Sequence, residues 1–310
     1  MTTSAPLPAR IERATREALG PARVPGAALA VIEGAEVVWV EAVGDVAADA
    51  RFQAGSVSKA LAAFGVLRLA ADTGADLDAP LVPSLGGWHP PGAPAGMEDG
   101  ITLRRVLSHT AGIGIPAYPG EPAGAPLPTT AELMAAVRLV APPGRGFRYS
   151  GGSFTVAQHW VELVTGEPFG RWMDREVLRA LGMVASTFDQ GPSPADAAPH
   201  DAEGEPMPVH RHAALAAAGL LTTAADLGRF GAAIATGAVP GGMTEPAPAT
   251  AGRYGLGLEL GALGPGLAGH SGQNRGWRAL VAVRRDDGRG VVVLANGEGG
   301  DAVRSVALAE

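Results

Sequence analysis

Apolar, β-branched runs sit at both ends of this 310-residue chain, and helix-period segments fill its middle. The stretch "GAALAVIEGAEVVWVEAVG" (26–44) holds two such runs around Glu33-Gly34, which reads as a β-hairpin. Near the other end, "YGLGLEL" (254–260), "WRALVAVRRDDG" (277–288) and "RGVVVLANG" (289–297) are strand candidates. Asp287-Gly288 supplies a hairpin turn between the last two. Residues 8–19 carry Ile11, Ala14 and Leu19 roughly on one helical face, and "DAVRSVALAE" closes the chain as a short helix.

Between these ends, helix-period segments fall at 57–73, 102–108, 129–140, 153–165, 168–181 and 223–236. Pro/Gly-rich loops such as "HPPGAPAGMEDG" and "PAYPGEPAGAPLP" separate them. The economical arrangement is α+β: one antiparallel sheet built from both termini, flanked by terminal helices, with a mostly helical insertion. This predicts a discontinuous sheet subdomain (1–55 with 237–310) and a helical one (56–236). A cleft between the two is the expected place for a small-molecule site.

Composition narrows the function. With 46% hydrophobic and 18% charged residues, the chain reads as globular and long enough for a sizeable core. A net charge of -7 offers no basic footprint for nucleic acid. The absence of cysteine excludes disulfides, thiolate metal sites and a cysteine nucleophile. The start "MTTSAPLPARIERATREALG" lacks the apolar core of a secretion signal, and no run of 18 apolar residues occurs. A soluble, cytoplasmic monomer or weak homodimer without a membrane partner is expected.

Lys59 is the only lysine; the other 23 of the 24 basic residues are arginine. It follows Ser56 by three positions, at the junction of a loop with an apolar helix carrying Leu61, Phe64 and Leu67. Residues three apart share a helical face, so the Lys59 amine points back towards the Ser56 hydroxyl. Burial and the positive helix start favour a neutral amine able to accept the serine proton, which an arginine is not. The backbone N–H at the same helix start is placed to stabilise an oxyanion. A bare S-x-x-K also reads as a helix cap with a solvated lysine, and the uniqueness of Lys59 is what favours chemistry.

Two further stretches decide the matter. "PPGRGFRYSGGSFTVAQHWVELVTGEPF" (142–169) puts Tyr149 in a glycine-rich loop before a helix, and "GHSGQNRGW" (269–277) puts His270-Ser271-Gly272 near a strand. With "FQAGSVSKA", "RRVLSHTAGIGI" and "AAGLLTTAADLGRF", these segments occur in one order over some 250 residues. Together they resemble the serine β-lactamase-like, penicillin-recognising superfamily, which includes DD-peptidases, class C β-lactamases, D-aminopeptidases and family VIII esterases.

The resemblance implies a β-lactamase-like fold and gives each position a role. Ser56 is similar to the acylated nucleophile and Lys59 to its partner in proton transfer. Tyr149 fills the tyrosine of Y-x-N, where a phenolate-like tyrosine works with lysine. His270-Ser271-Gly272 fills the K-T-G strand in an H-x-G form, with His270 assisting Tyr149. The N–H of Gln273 joins that of Ser56 in the oxyanion hole. Gly151 stands where asparagine is usual and cannot hydrogen-bond an acylamino group; with His270 in place of lysine, this argues against β-lactams and strict peptidoglycan chemistry. Gly151, Gly272, Gln273, Trp277 and His212 are the expected substrate contacts. No cofactor or metal is implied.

Other candidates carry less. His210 and His212, with His200 and Asp201, lack a third placed metal ligand and read as cleft-mouth residues. Ser108 and His109 are adjacent on a helix and point apart, so His109 reads as a satisfied histidine fixing the Thr110-Ala-Gly turn. No G-x-S-x-G elbow occurs. Trp277 reads as cleft wall or core, and Asn274 and Arg275 as contacts for a carboxylate or leaving group. The expected activity is a serine hydrolase of a small-molecule acyl substrate, a carboxylester first and a D-amino-acid amide or short peptide next. An acyltransferase or cyclase, a β-lactamase or DD-peptidase, and a non-catalytic binding module are the rivals.

Overall fold

The computed structural model describes residues 5–115 and 118–310; Pro116 and Ala117, which open the loop "PAYPGEPAGAPLP", lie outside the described residues. Six strands form one sheet: β1 (Gly26–Glu33), β2 (Glu36–Gly44), β3 (Glu259–Leu260), β4 (Leu267–Asn274), β5 (Trp277–Arg284) and β6 (Arg289–Ala295). Their order is β2-β1-β6-β5-β4-β3 and every pairing is antiparallel. The N-terminal hairpin joins the C-terminal strands through β1 and β6, in register from Ala27 opposite Ala295 to Glu33 opposite Arg289.

Both faces of this sheet are covered, which is why β1 reads as a continuous apolar run rather than an alternation. Leu29, Val31, Leu280 and Val293 face α1 (Leu7–Ala22) and the closing helix, sharing one core with Ile11 and Val303. Ala28, Ala30, Ile32 and Val281 face the opposite way, into the larger core shared with the helices of the middle. Three of these matter for the site: α2 (Ser58–Thr73), α3 (Gly151–Thr165) and α4 (Ala224–Ala235); the closing helix Gly300–Ala309 is α5. From Ser58 to Leu67 every residue of α2 is buried, as for a helix enclosed on all sides.

Several segments depart from the sequence reading. The helix expected over 129–140 ends at Ala136: Val137 turns extended, and the Arg138 guanidinium takes the Ala135 and Val137 carbonyls. The helix expected over 168–181 is Phe169–Met173 followed by a π turn at Asp174–Leu178, where the Asp174 carboxylate is drawn to Thr187 Oγ1 and Phe188 N. Of the strand expected over 254–260, only Glu259 and Leu260 pair in the sheet, because Gly257 N–H bonds Leu107 O instead. The segment around His270 is itself a full strand, β4, whose glycines hide its β character.

Candidate active site

Ser56 lies in the 3-10 turn Gly55–Val57 that leads into α2. This turn presses directly on β4. A Cβ on Gly272 would stand 1.9 Å from Ala54 O and 3.2 Å from Ser56 N. Gly55 has φ 52°, and a Cβ there would stand 2.6 Å from Gln273 N. Only glycine permits an approach this close, so these two positions hold the Ser56 and Gln273 amide nitrogens in one small patch.

Lys59, one turn into α2, is 2% exposed. Its Nζ lies 2.9 Å from Ser56 Oγ and donates to Ala217 O at 2.7 Å. The Tyr149 ring sits 5.0 Å from the amine and the Phe154 ring 5.9 Å. Burial lowers the Lys59 pKa from 10.5 to about 7, against the opposing pull of the Glu259 charge. Near neutral pH a large share of the amine is therefore unprotonated and able to accept a proton.

Tyr149, two residues before α3, hydrogen-bonds Ser56. Burial pushes its phenol well above the usual value, and Ser56 opposes this only in part. Burial thus favours a protonated phenol at rest over the phenolate-like state that the resemblance implies. His109 holds this tyrosine in place. Its ring lies 4.3 Å from the Tyr149 ring and 5.3 Å from that of Phe154, and its Nδ1 accepts from Ser150 N at 3.1 Å. It therefore braces the Tyr149 segment rather than the turn that follows it, and it is not the satisfied histidine expected: its Nε2 is buried without a hydrogen-bond partner among the described residues. Ser108 bonds Arg104 O and Thr110 and makes no pair with His109.

His270, on β4, is 1% exposed. Its Nε2 meets Tyr254 Oη at 2.9 Å and its Nδ1 meets Ser271 O at 2.5 Å, with Glu259 Oε1 3.3 Å away. Among the described residues it makes no hydrogen bond to Ser56 or Tyr149, although its ring lies 6.2 Å from that of Tyr149. Burial lowers its pKa, with Glu259 opposing, so it is neutral at neutral pH. Glu259 and Tyr254 complete this buried chain and were missed by the sequence reading. The one available signal was an acid in an otherwise apolar strand candidate.

The remaining candidates divide. Gly151 is the first residue of α3, and a Cβ there would meet the Tyr118 ring at 3.1 Å. Tyr118, its hydroxyl 2.6 Å from Thr155 Oγ1, occupies the space a side chain at 151 would need. Trp277 is 2% exposed and packs edge-on against Phe52 at 5.8 Å, so it is chiefly core. It also lines a cavity of about 380 Å³ with Gln53, Gln190, Val209 and Leu221. His212 is buried with both ring nitrogens unpartnered among the described residues, and borders a second cavity of about 650 Å³ with Gln158 and Glu162. Ser56 lines neither of these two cavities.

Asn274 is not free to meet a ligand, because its amide donates to Gln53 Oε1 and Ala218 O. Arg275 is exposed. His200 and His210 turn to the carbonyls of Asn296 and Pro208. Among the described residues no group of three His, Cys, Asp or Glu is placed to hold a metal, and no helix is long and apolar enough to cross a membrane.

A sheet closed from both termini, with a lysine-paired serine where it meets the helices, defines a class that the comparisons name. The chain belongs to the β-lactamase family, whose profile matches residues 11–309. Esterase EstB of Burkholderia gladioli is 30% identical over 230 residues, which cover 66% of this chain and 57% of that protein. The unguisins hydrolase ungD of Aspergillus violaceofuscus is 29% identical over 196 residues, 58% of this chain and 34% of that protein. The chain thus spans between about a third and somewhat over half the length of these relatives. Among solved structures, a D-stereospecific amidohydrolase from Streptomyces sp. matches with TM-score 0.77 and 25% identity over 94% of this chain and 97% of that one. The octameric penicillin-binding protein homologue from Pyrococcus abyssi shares the fold, with TM-score 0.77 and 22% identity over 97% of this chain and 77% of that one.

Proposed function

We propose that this chain is a serine hydrolase that works through an acyl-enzyme on carboxylesters, with D-amino-acid amides or short peptides as the next substrate class. The observation that carries the reading is the contact of a buried, readily deprotonated Lys59 with Ser56 Oγ at 2.9 Å, beside a protonated Tyr149. Relatives named as an esterase and an amidohydrolase support the same class.

In this mechanism Ser56 Oγ gives its proton to neutral Lys59 and forms a bond to the substrate carbonyl carbon. The carbonyl oxygen becomes an oxyanion, held by the N–H groups of Ser56 and Gln273. The bond to the leaving group breaks, Tyr149 gives that group its proton, and Lys59 restores the proton to Tyr149. Water then attacks the acyl carbon while Tyr149 and Lys59 run the transfer in reverse, which frees the acid and Ser56. His270 acts on this cycle only through Tyr254 and the neighbouring charge. The proposed substrate contacts are Gly272 and Gln273 on β4; His212 and Trp277 border cavities that Ser56 does not line, and Tyr118 fills the space at Gly151.

The test is steady-state hydrolysis of p-nitrophenyl butyrate by wild type, Ser56→Ala and Lys59→Arg. Both variants should lose on the order of 10³-fold or more in kcat/KM. Turnover by Ser56→Ala at the wild-type rate would overturn the assignment.

A further inference from the structure

Glu259 stands where the pairing of β3 with β4 ends. β3 reaches only Ala268 and Gly269, so from His270 onward that edge of β4 has no strand beside it. The Glu259 carboxylate reaches along this edge, and its Oε1 accepts from Ser271 N at 3.2 Å and from Ser271 Oγ at 2.9 Å. The Ser271 donors on this edge are therefore taken by an anion of the chain itself, while the N–H of Gln273, two residues on, is the one assigned to the oxyanion. Oε2 accepts no hydrogen bond among the described residues, and the side chain keeps 15% of its surface exposed. The carboxylate is thus anchored by one oxygen and open by the other.

The charges around it do not cancel it. Lys59 is committed to Ser56 and Ala217 O. Arg304 is paired with Asp301 and donates to the carbonyls of Gly272 and Ala279. His270 is buried against Tyr254. The field of Glu259 reaches Lys59, Tyr149 and Tyr254. Tyr149 is the group assigned to protonate the departing atom, and its ring faces those of His270 and Tyr254. Glu259 Oε1 lies 3.3 Å from His270 Nδ1, whose ring is 6.2 Å from that of Tyr149, so the carboxylate stands on the Tyr149 side of the site.

We propose that Glu259 sets the charge of the leaving group: the site takes esters or amides whose departing half carries an ammonium, and turns away those whose departing half carries a carboxylate. This rests on the hydrolase reading above and adds its substrate class. A carboxylate anchored by one oxygen and only 15% exposed attracts a nearby cation and repels an anion more strongly than one in bulk water.

The experiment compares three butyrate esters of similar size. One leaving alcohol is choline, one its neutral analogue 3,3-dimethylbutanol, and one 3-hydroxypropanoate. In low salt, wild-type kcat/KM should favour the choline ester over the neutral one by about tenfold or more, with the anionic ester slowest. Glu259→Gln should bring the choline-to-neutral ratio to about one, whatever its absolute rates. Raising the salt should shrink the wild-type ratio, which reads the same charge without a mutation. A wild-type ratio of about one in low salt, or a ratio kept in Glu259→Gln, would overturn the inference. Hydrolysis of p-nitrophenyl butyrate without any cation preference would overturn it alone; no turnover of any ester would overturn the hydrolase reading with it.

Discussion

A single buried amine sets the chemistry of the residue scale. In the proposed mechanism Lys59 has to be neutral to accept the Ser56 proton, and burial brings its pKa to about 7. The kcat/KM of a neutral ester should therefore rise with pH through a midpoint near 7. Because Glu259 raises that pKa, Glu259→Gln should move the midpoint to lower pH; an unmoved midpoint in a pH–rate profile would contradict the electrostatics. The same burial has a cost in stability. Between about 7 and 10.5 the unfolded chain holds the Lys59 proton and the folded one does not, so wild type gains stability as pH rises through that window. Compared with Lys59→Met, wild type should be less stable at pH 6 by a few kcal/mol, and the gap should close towards pH 10. Thermal melts of both proteins across that range measure it. The contact of the lone lysine with Ser56 was legible because Lys59 follows Ser56 by three positions, and it drew attention because the other Lys+Arg residues are all arginine. Glu259 and Tyr254 were not, since their roles arise only when the loop before β3 folds back against β4.

At the scale of elements, the site depends on how closely one turn approaches one strand. Gly272 and Gly55 let the Gly55–Val57 turn lie on β4, and a methyl at 272 has no space beside Ala54 O. Gly272→Ala should push the turn off the strand and separate the Ser56 and Gln273 amides. That predicts a loss of about 10²-fold or more in kcat, as for removal of an oxyanion donor. A crystal structure of the variant with an undisplaced turn, or unchanged kcat, would contradict this account. Gly269 and Gly272 also explain why β4 was read as only near a strand: a segment written LAGHSGQN carries no β-branched residue. β1, β5 and β6 were legible because Val, Ile and Leu fill both of their faces. Helix ends were less so, because helical periodicity does not register the contacts that end or distort the middle helices: the Arg138 guanidinium donates to the nearby Ala135 and Val137 carbonyls, and the Asp174 carboxylate accepts from Phe188 N, 14 residues on.

At the scale of the molecule, both termini build the same sheet. β1 lies between β2 and β6, and α1 packs with α5 over the outer face through Ile11 and Val303. Removing residues 300–310 should uncover Leu29, Leu280 and Val293, and α1 should lose its partner as well. The account predicts one cooperative thermal transition at a markedly lower Tm with increased dye binding to exposed apolar surface. Two separate transitions would show that the ends fold independently. The architecture was readable because runs so far apart have a common solution in one sheet. The central claim rests on Ser56, and intact-protein mass after brief exposure to p-nitrophenyl butyrate, with peptide mapping, tests it most directly. A transient butyryl adduct on Ser56, lost in Lys59→Arg, is the predicted result; an adduct on any other residue contradicts the account.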